Sequence, residues 1–197
     1  MLFYLKIAPI YPNEPNMHNF TKSLCLILML TLAFFSCKDD KEIEPKNAIM
    51  HNGREFELSK GLLIDFGKYP TGQSGQAIFL SSEGVIIRET AGHIDSIYGV
   101  GSAIFLELVS KTENGLDEGE YTFDNGFTIN ATTFFDSYVV FNGDFAEEDG
   151  EFYELKEGKM TVKKDGPNYI LDIDCIERNG KHVTCHYKGP LKFYDEK

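Results

Sequence analysis

From residue 48 onward, apolar positions recur at every second residue in short runs broken by turn residues, and no stretch keeps the helical period. A strand with one buried face requires this alternation, because successive side chains point to opposite faces of a sheet. Candidate strands are residues 62–69, 103–109, 120–123, 138–141, 159–163, 169–177, 181–187 and 191–194. Two hairpins join them. Asn52-Gly53 marks a two-residue turn, since the favoured turn needs positive φ at both positions, and its register sets Ile49 opposite Phe56. Glu83-Gly84 pairs Leu80 with Ile87 in the same way. Ala103, Ile104, Phe105 and Leu106 are apolar in unbroken succession, which predicts a central strand covered on both faces. About ten to twelve strands with no intervening helix predict a single all-β domain over residues 48–197, an antiparallel β-sandwich or a flattened β-barrel.

Within this pattern Tyr169, Leu171, Ile173 and Cys175 form one face, and Val183, Cys185 and Tyr187 form the apolar set of the returning strand. Bringing both odd-numbered sets to one side demands an odd loop, Arg178-Asn179-Gly180, with Gly180 in the left-handed conformation. Cys175 and Cys185 then lie on the same face of adjacent strands as a diagonal pair. A loop shifted by one pairing step would set them face to face, so a disulfide between them is open.

The pattern ahead of residue 48 differs in kind. Residues 24–35 are an apolar run broken only by Thr31, too short to span a bilayer, which takes roughly 20 residues. Lys22 precedes the run and small Ser36 follows it, the order of a secretory signal. The residues Ala33, Phe34, Phe35, Ser36 and Cys37 resemble the lipobox of a bacterial lipoprotein signal peptide. That resemblance implies a diacylglyceryl group on the Cys37 thiol, cleavage before it, and acylation of the new amino terminus. Two or three acyl chains make such attachment durable, at ~0.8 kcal/mol per buried methylene. Residues 1–16 contain Pro9, Pro12 and Pro15, which preclude a continuous helix. Met17 opens a compact n-region, so translation is expected to begin there, with residues 17–36 as the signal and 37–47 as a lipidated acidic tether.

Lys38, Asp39, Asp40, Lys41 and Glu42, directly after the cysteine, resemble the export signal that sends Bacteroidota lipoproteins to the outer face of the outer membrane. The stretch from Gly158 to Asp195 and the Gly119-Glu120-Tyr121-Thr122-Phe123 run look like small, mostly uncharacterised all-β Bacteroidota lipoproteins. The resemblance implies architecture and an outer-membrane, surface-exposed location, and transfers no functional residue. Some of those domains look like calycin barrels, which would imply a ligand cavity.

The chain carries a formal charge of −12, and loss of residues 1–36 removes only Lys6, Lys22 and Glu14 among its acidic and basic residues. A polyanion repels phosphate backbones, which argues against nucleic acid as a partner. A glycan or an envelope protein fits better. No phosphate loop, nucleophile elbow or zinc-protease motif is present, and no cofactor is expected. His182 and His186, four apart on a strand, cannot share one ion.

Asp172 and Asp174 stand about 6.6 Å apart by strand rise, within reach of glycosidase carboxyl spacing. Their position on a wet face favours a solvated surface over a hydrolase. Asp144, Glu147, Glu148, Asp149 and Glu151 could offer oxygen ligands to calcium, but the EF-hand template fails there and a solvated loop fits better. Aromatics crowd the stretch from Phe123 to Tyr153, as core or as a sugar-stacking or apolar-ligand surface. Phe134 and Phe135 cannot both point inward on a regular strand, which makes them the candidate ligand surface. Asp95-Ser96-Ile97 resembles the short O-glycosylation acceptor of Bacteroidota secreted proteins, with Ser96 as the acceptor. The leading function is a lipid-anchored, non-enzymatic binding module. The alternatives are a barrel carrying an apolar ligand and, last, a glycan hydrolase.

Overall fold

The computed structural model describes residues 44–197 except 127 and 148, so Cys37 and the acidic run after it lie outside the described residues. Among the described residues there is no helix. Twelve strands build the domain: β1 (Ala48–His51), β2 (Arg54–Glu57), β3 (Lys60–Lys68), β4 (Ser74–Ser81), β5 (Val85–Thr90), β6 (His93–Ser110), β7 (Gly119–Phe123), β8 (Thr133–Asp144), β9 (Asp149–Asp165), β10 (Asn168–Glu177), β11 (His182–Gly189) and β12 (Lys192–Asp195). They run side by side as β12-β3-β4-β6-β8-β7-β9-β10-β11-β1-β2, with β5 paired to β6 off this path and β8 also paired to β9. The all-β expectation holds. The sheet is mixed rather than purely antiparallel, because β12 joins β3 and β7 joins β8 in parallel.

The sheet curls around one apolar face. Ile49, Leu63, Ile78, Leu80, Ile104, Leu106, Tyr121, Phe134, Phe141, Met160, Leu171 and Val183 are among the residues of a continuous inner core. Close backbone approach makes the curl possible. A Cβ on Gly61 would lie 2.7 Å from the Tyr187 hydroxyl, and one on Gly158, at φ +142°, would lie 2.5 Å from the Asp174 carbonyl oxygen. Only glycine accommodates both that φ and that contact.

A second, smaller core lies on the outer face. Leu62, Ile64, Ala77, Phe79, Val85, Ala103 and Tyr194 form it, with Ile87, Ile94 and Ile97 packed against it. The long β6 makes this core. Its first half pairs with β5, and its second half pairs with β4 and β8. The β5–β6 hairpin therefore lies over the back of β3 and β4, which is why every residue of β4 is buried. The expected Leu80–Ile87 pair does not form: β5 leaves the plane of β4, Leu80 faces Gly61 and Ile104, and Ile87 faces Ile97. Burying the apolar outer faces of β3 and β4 overrides the local turn signal. By contrast, Ile49 does face Phe56, Gly180 does take φ 86°, and Asn52 and Gly53 both have positive φ.

One end of the inner core holds two ionisable side chains. His51 is 4% exposed and Glu177 is fully buried, with Nε2 and Oε1 4.0 Å apart and neither atom hydrogen-bonded to the protein. The imidazole stacks on Phe141 at 4.9 Å, and Glu177 Oε2 accepts from the Asn179 backbone N–H. Burial lowers the His51 pKa below 6.5, against the opposing charge of Glu177. The unfolded chain thus binds this proton more readily than the folded one, so His51 supports stability above pH 6.5 and that support is lost as pH falls below it. Over the range below pH 6.5, stability should therefore slope downward as pH falls. Urea unfolding across this range should show that slope in the native protein and a flatter one in His51→Phe, which keeps the stack on Phe141.

Candidate functional site

The outer face of β6, β8 and β9 is not covered by the β5–β6 hairpin. A groove of about 500 Å³ opens there, lined by Phe105, Glu107, Phe123, Asp124, Phe135, Asp136, Tyr138, Phe152, Glu154, Lys156 and Arg178 among others. A second depression of about 370 Å³ shares Tyr138 and Phe152 and continues past Val140, Phe145 and the close-packed Gly143 and Gly150. A third, of about 470 Å³, lies elsewhere, between β5 and β12.

Register builds the floor of the first groove. Phe105 on β6 faces Tyr138 on β8, and the rings stack at 5.1 Å with an interplanar angle of 22°. Tyr138 in turn meets Phe152 of β9 at 4.9 Å. Phe152 ends the row and is 54% exposed.

A backbone irregularity places these rings. Between Phe105 and Glu107 the β6–β8 register slips, because Tyr138 faces Phe105 while Phe135 faces Glu107. One extra residue on β8 is taken up as a bulge, with Asp136 at φ 40°. Phe134 before the bulge and Val139 and Phe141 after it all join the inner core, while Phe135 and Tyr138 line the groove. Thr132 at φ 64° and Ile129 at φ 50° lie in the loop just before β8. Positive φ on β-branched residues is costly.

Acidic groups predominate in the groove. Burial, followed by the charge of Asp136, holds the Glu107 carboxyl above its ordinary range, against a hydrogen bond from Tyr69. Asp124 lies at the rim, where its carboxylate accepts from the Thr128 hydroxyl and from the Gly126 backbone N–H at 2.8 Å. The Thr128 bond, ahead of the Gly126 one, holds the Asp124 carboxyl below its usual range. Arg178 is ion-paired to Glu154.

The expected ligand pair needs correction. Phe134 is fully buried and edge-on to Phe123 at 5.5 Å, so it is core. Phe135 points to the other face, as adjacency requires, and reaches the groove wall while only 8% exposed. The surface that a ligand could touch belongs instead to Tyr138 and Phe152. The sequence signal that could have found them was the Phe-Phe adjacency itself, which forces either one buried and one outward ring or a bulge.

The other singled-out residues fall elsewhere. Asp172 is 2.7 Å from His186 Nδ1 and Asp174 is 3.5 Å from His182 Nδ1, both on the outer face with carboxyl side chains 51% and 59% exposed. Neither aspartate lines the three depressions described above. Asp144 and Asp149 accept hydrogen bonds from nearby backbone N–H groups in and beside the β8–β9 turn, Glu151 pairs with Arg54, and Glu148 lies outside the described residues. Among the described residues no three His, Cys, Asp or Glu side chains converge as a metal site. Ser96 is half-buried on β6 opposite Arg88, its hydroxyl 3.4 Å from Asp95.

Cys175 faces Val183 and Cys185 faces Ile173, which leaves the two thiols diagonal, free and buried. Diagonal neighbours stand about 7–8 Å apart at Cα, beyond the span of a disulfide, so the open question of a bridge closes against one in this register. Burial pushes the Cys175 thiol up to about 12 and raises Cys185 as well. Both should resist a thiol reagent in the native protein and react in denaturant, and equal reaction in the two conditions would contradict the register.

In comparisons with known proteins, no family model, no curated protein and no solved structure matched the chain.

Partial burial beside Asp136 makes the protonated Glu107 carboxyl a source of stability at low pH. Stability from this group is present below the ordinary carboxyl pKa of 4.5 and is lost as pH rises through the higher folded value. Glu107→Gln should therefore raise the melting temperature at pH 7 and leave it nearly unchanged at pH 4.

Proposed function

We propose that this domain is a non-enzymatic binding module, held at the outer membrane by lipid on Cys37, that engages an extracellular glycan through the groove over β6, β8 and β9. The observation that carries the reading is the row of adjoining rings Phe105, Tyr138 and Phe152, which ends in a half-exposed ring inside a groove rimmed by carboxylates and cations. An open aromatic face suits the apolar face of a sugar ring, and carboxylate and guanidinium groups suit its hydroxyls. The groove floor supports a side-chain reader over a strand-adding one. β8 lies between β6 and the β7 and β9 strands, so it offers no free edge to an extended peptide. A carrier of an apolar ligand has less support, because the inner face that would form its cavity is filled by side chains such as Tyr121, Phe134 and Phe141.

Anchor and groove are tested separately. Intact mass of membrane-extracted protein should give a chain that begins at an acylated Cys37, and a soluble, unmodified chain would overturn the anchor. On an array of immobilised oligosaccharides the purified protein should bind at least one class. Phe152→Ala should weaken that binding about threefold to tenfold, the worth of one stacking contact, without changing the unfolding midpoint appreciably. Undiminished binding by Phe152→Ala removes the groove as the site.

A further inference from the structure

The groove's charge narrows the glycan class, an inference that rests on the proposed glycan reading. Four carboxylates line it, from Glu107, Asp124, Asp136 and Glu154, against two cations, Lys156 and Arg178. Arg178 is already engaged by Glu154. Asp124 is turned toward its own loop, where Gly126 and Thr128 donate to it. Glu107 takes one hydrogen bond, from Tyr69, and keeps acceptor capacity for a ligand, as does Asp136; Glu107 faces Phe135 across the β6–β8 pair, and Asp136, at φ 40°, is the next residue on β8. Both line the groove together with Phe105 and Tyr138, whose stack borders the Phe152 ring.

Two close carboxylates, one of them half-buried, repel each other and disfavour a third anion. They form a favourable place for a cation that donates several hydrogen bonds at once. An ammonium has three such donors on one small centre. The net charge of −12 adds a long-range bias in the same direction, repelling sulfated or uronic polymers.

We propose that the groove selects an oligosaccharide bearing free amino groups, with one sugar ring against the Tyr138–Phe152 platform and its ammonium between the Glu107 and Asp136 carboxylates. N-acetylation removes the charge and two of the donors, so the acetylated oligomer is the matched control. A cationic peptide shares the ammonium but not the sugar face, and it lacks a strand edge to pair with at this groove.

The test is calorimetric titration of the full chain at pH 7 with four probes: a glucosamine tetramer, its N-acetylated counterpart, a galacturonate tetramer and tetralysine. The glucosamine tetramer should bind about tenfold or more tightly than the acetylated form, as expected for a charged hydrogen-bonded contact. The galacturonate should not bind detectably. Glu107→Gln with Asp136→Asn should bring the amino and acetylated forms to equal affinity, while Phe152→Ala should weaken both. Thermal melts confirm that each variant is folded, and the single Asp136→Asn variant, at an exposed position, serves should the double variant fail to fold.

Equal binding of the amino and acetylated tetramers by the native protein would overturn the ammonium inference and leave the glycan groove standing. Tetralysine binding as tightly as the glucosamine tetramer would replace the sugar with a cationic peptide. Failure of every saccharide, here and on the array, would overturn the glycan reading itself.

Discussion

The single extra residue at Asp136 is the constraint on which the rest of the domain depends. Without it, strict alternation along β8 would put Phe134 and Tyr138 on one face and Phe135 and Val139 on the other. With it, Phe134, Val139 and Phe141 all reach the inner core, while Phe135 and Tyr138 turn outward. A slip of one residue reverses every side chain beyond it. The same irregularity therefore completes the core and starts the groove. The positive φ of Asp136 is the local cost, and Asp is among the residues that tolerate that region best.

The groove is also what the second core leaves behind. A curled sheet with one packed face would leave its whole convex side open, and the apolar residues of β3 and β4 on that side need cover. The β5–β6 hairpin supplies it for Leu62, Ile64, Ala77 and Phe79. Its reach ends near Phe105 and Phe145, which pack against that core from its border. Beyond the border the outer face of β8 and β9 is open, and its residues change from aliphatic to aromatic and charged. Aromatics and acids can face water there at moderate cost, whereas the β4 set could not.

Sequence alone reveals these features in proportion to how local they are. Ile49 opposite Phe56 and the left-handed Gly180 follow from turns two or three residues long, and both are found as expected. The Leu80–Ile87 pair rests on an equally local signal and does not form, because the hairpin folds over a surface the turn residues do not encode. Adjacent Phe134 and Phe135 announced that something irregular happens on β8. They could not say which ring would be buried, since that depends on the β6 residues opposite. His51 and Glu177 were invisible for the same reason: they meet only when β10, β11 and β1 are laid side by side. The wet face of Asp172 and Asp174 was legible because alternation states it directly, and each aspartate is found exposed beside a histidine.

The mechanical character of the groove follows from its place in the sheet. Phe105 and Tyr138 stand on strands hydrogen-bonded along both edges, so their Cα positions are fixed by register and their rings by stacking on each other. A ligand meeting such a floor orders few groups on binding, and preorganisation of this kind converts more of the contact energy into affinity. The freedom that is left sits at the rim, in the long side chains of Glu154, Lys156 and Arg178 and in the loop tied by Asp124. A rigid aromatic floor with an adjustable charged rim suits recognition of a repeating unit in varied surroundings. The floor accepts the ring, and the rim adapts to the substituents that differ from one unit to the next.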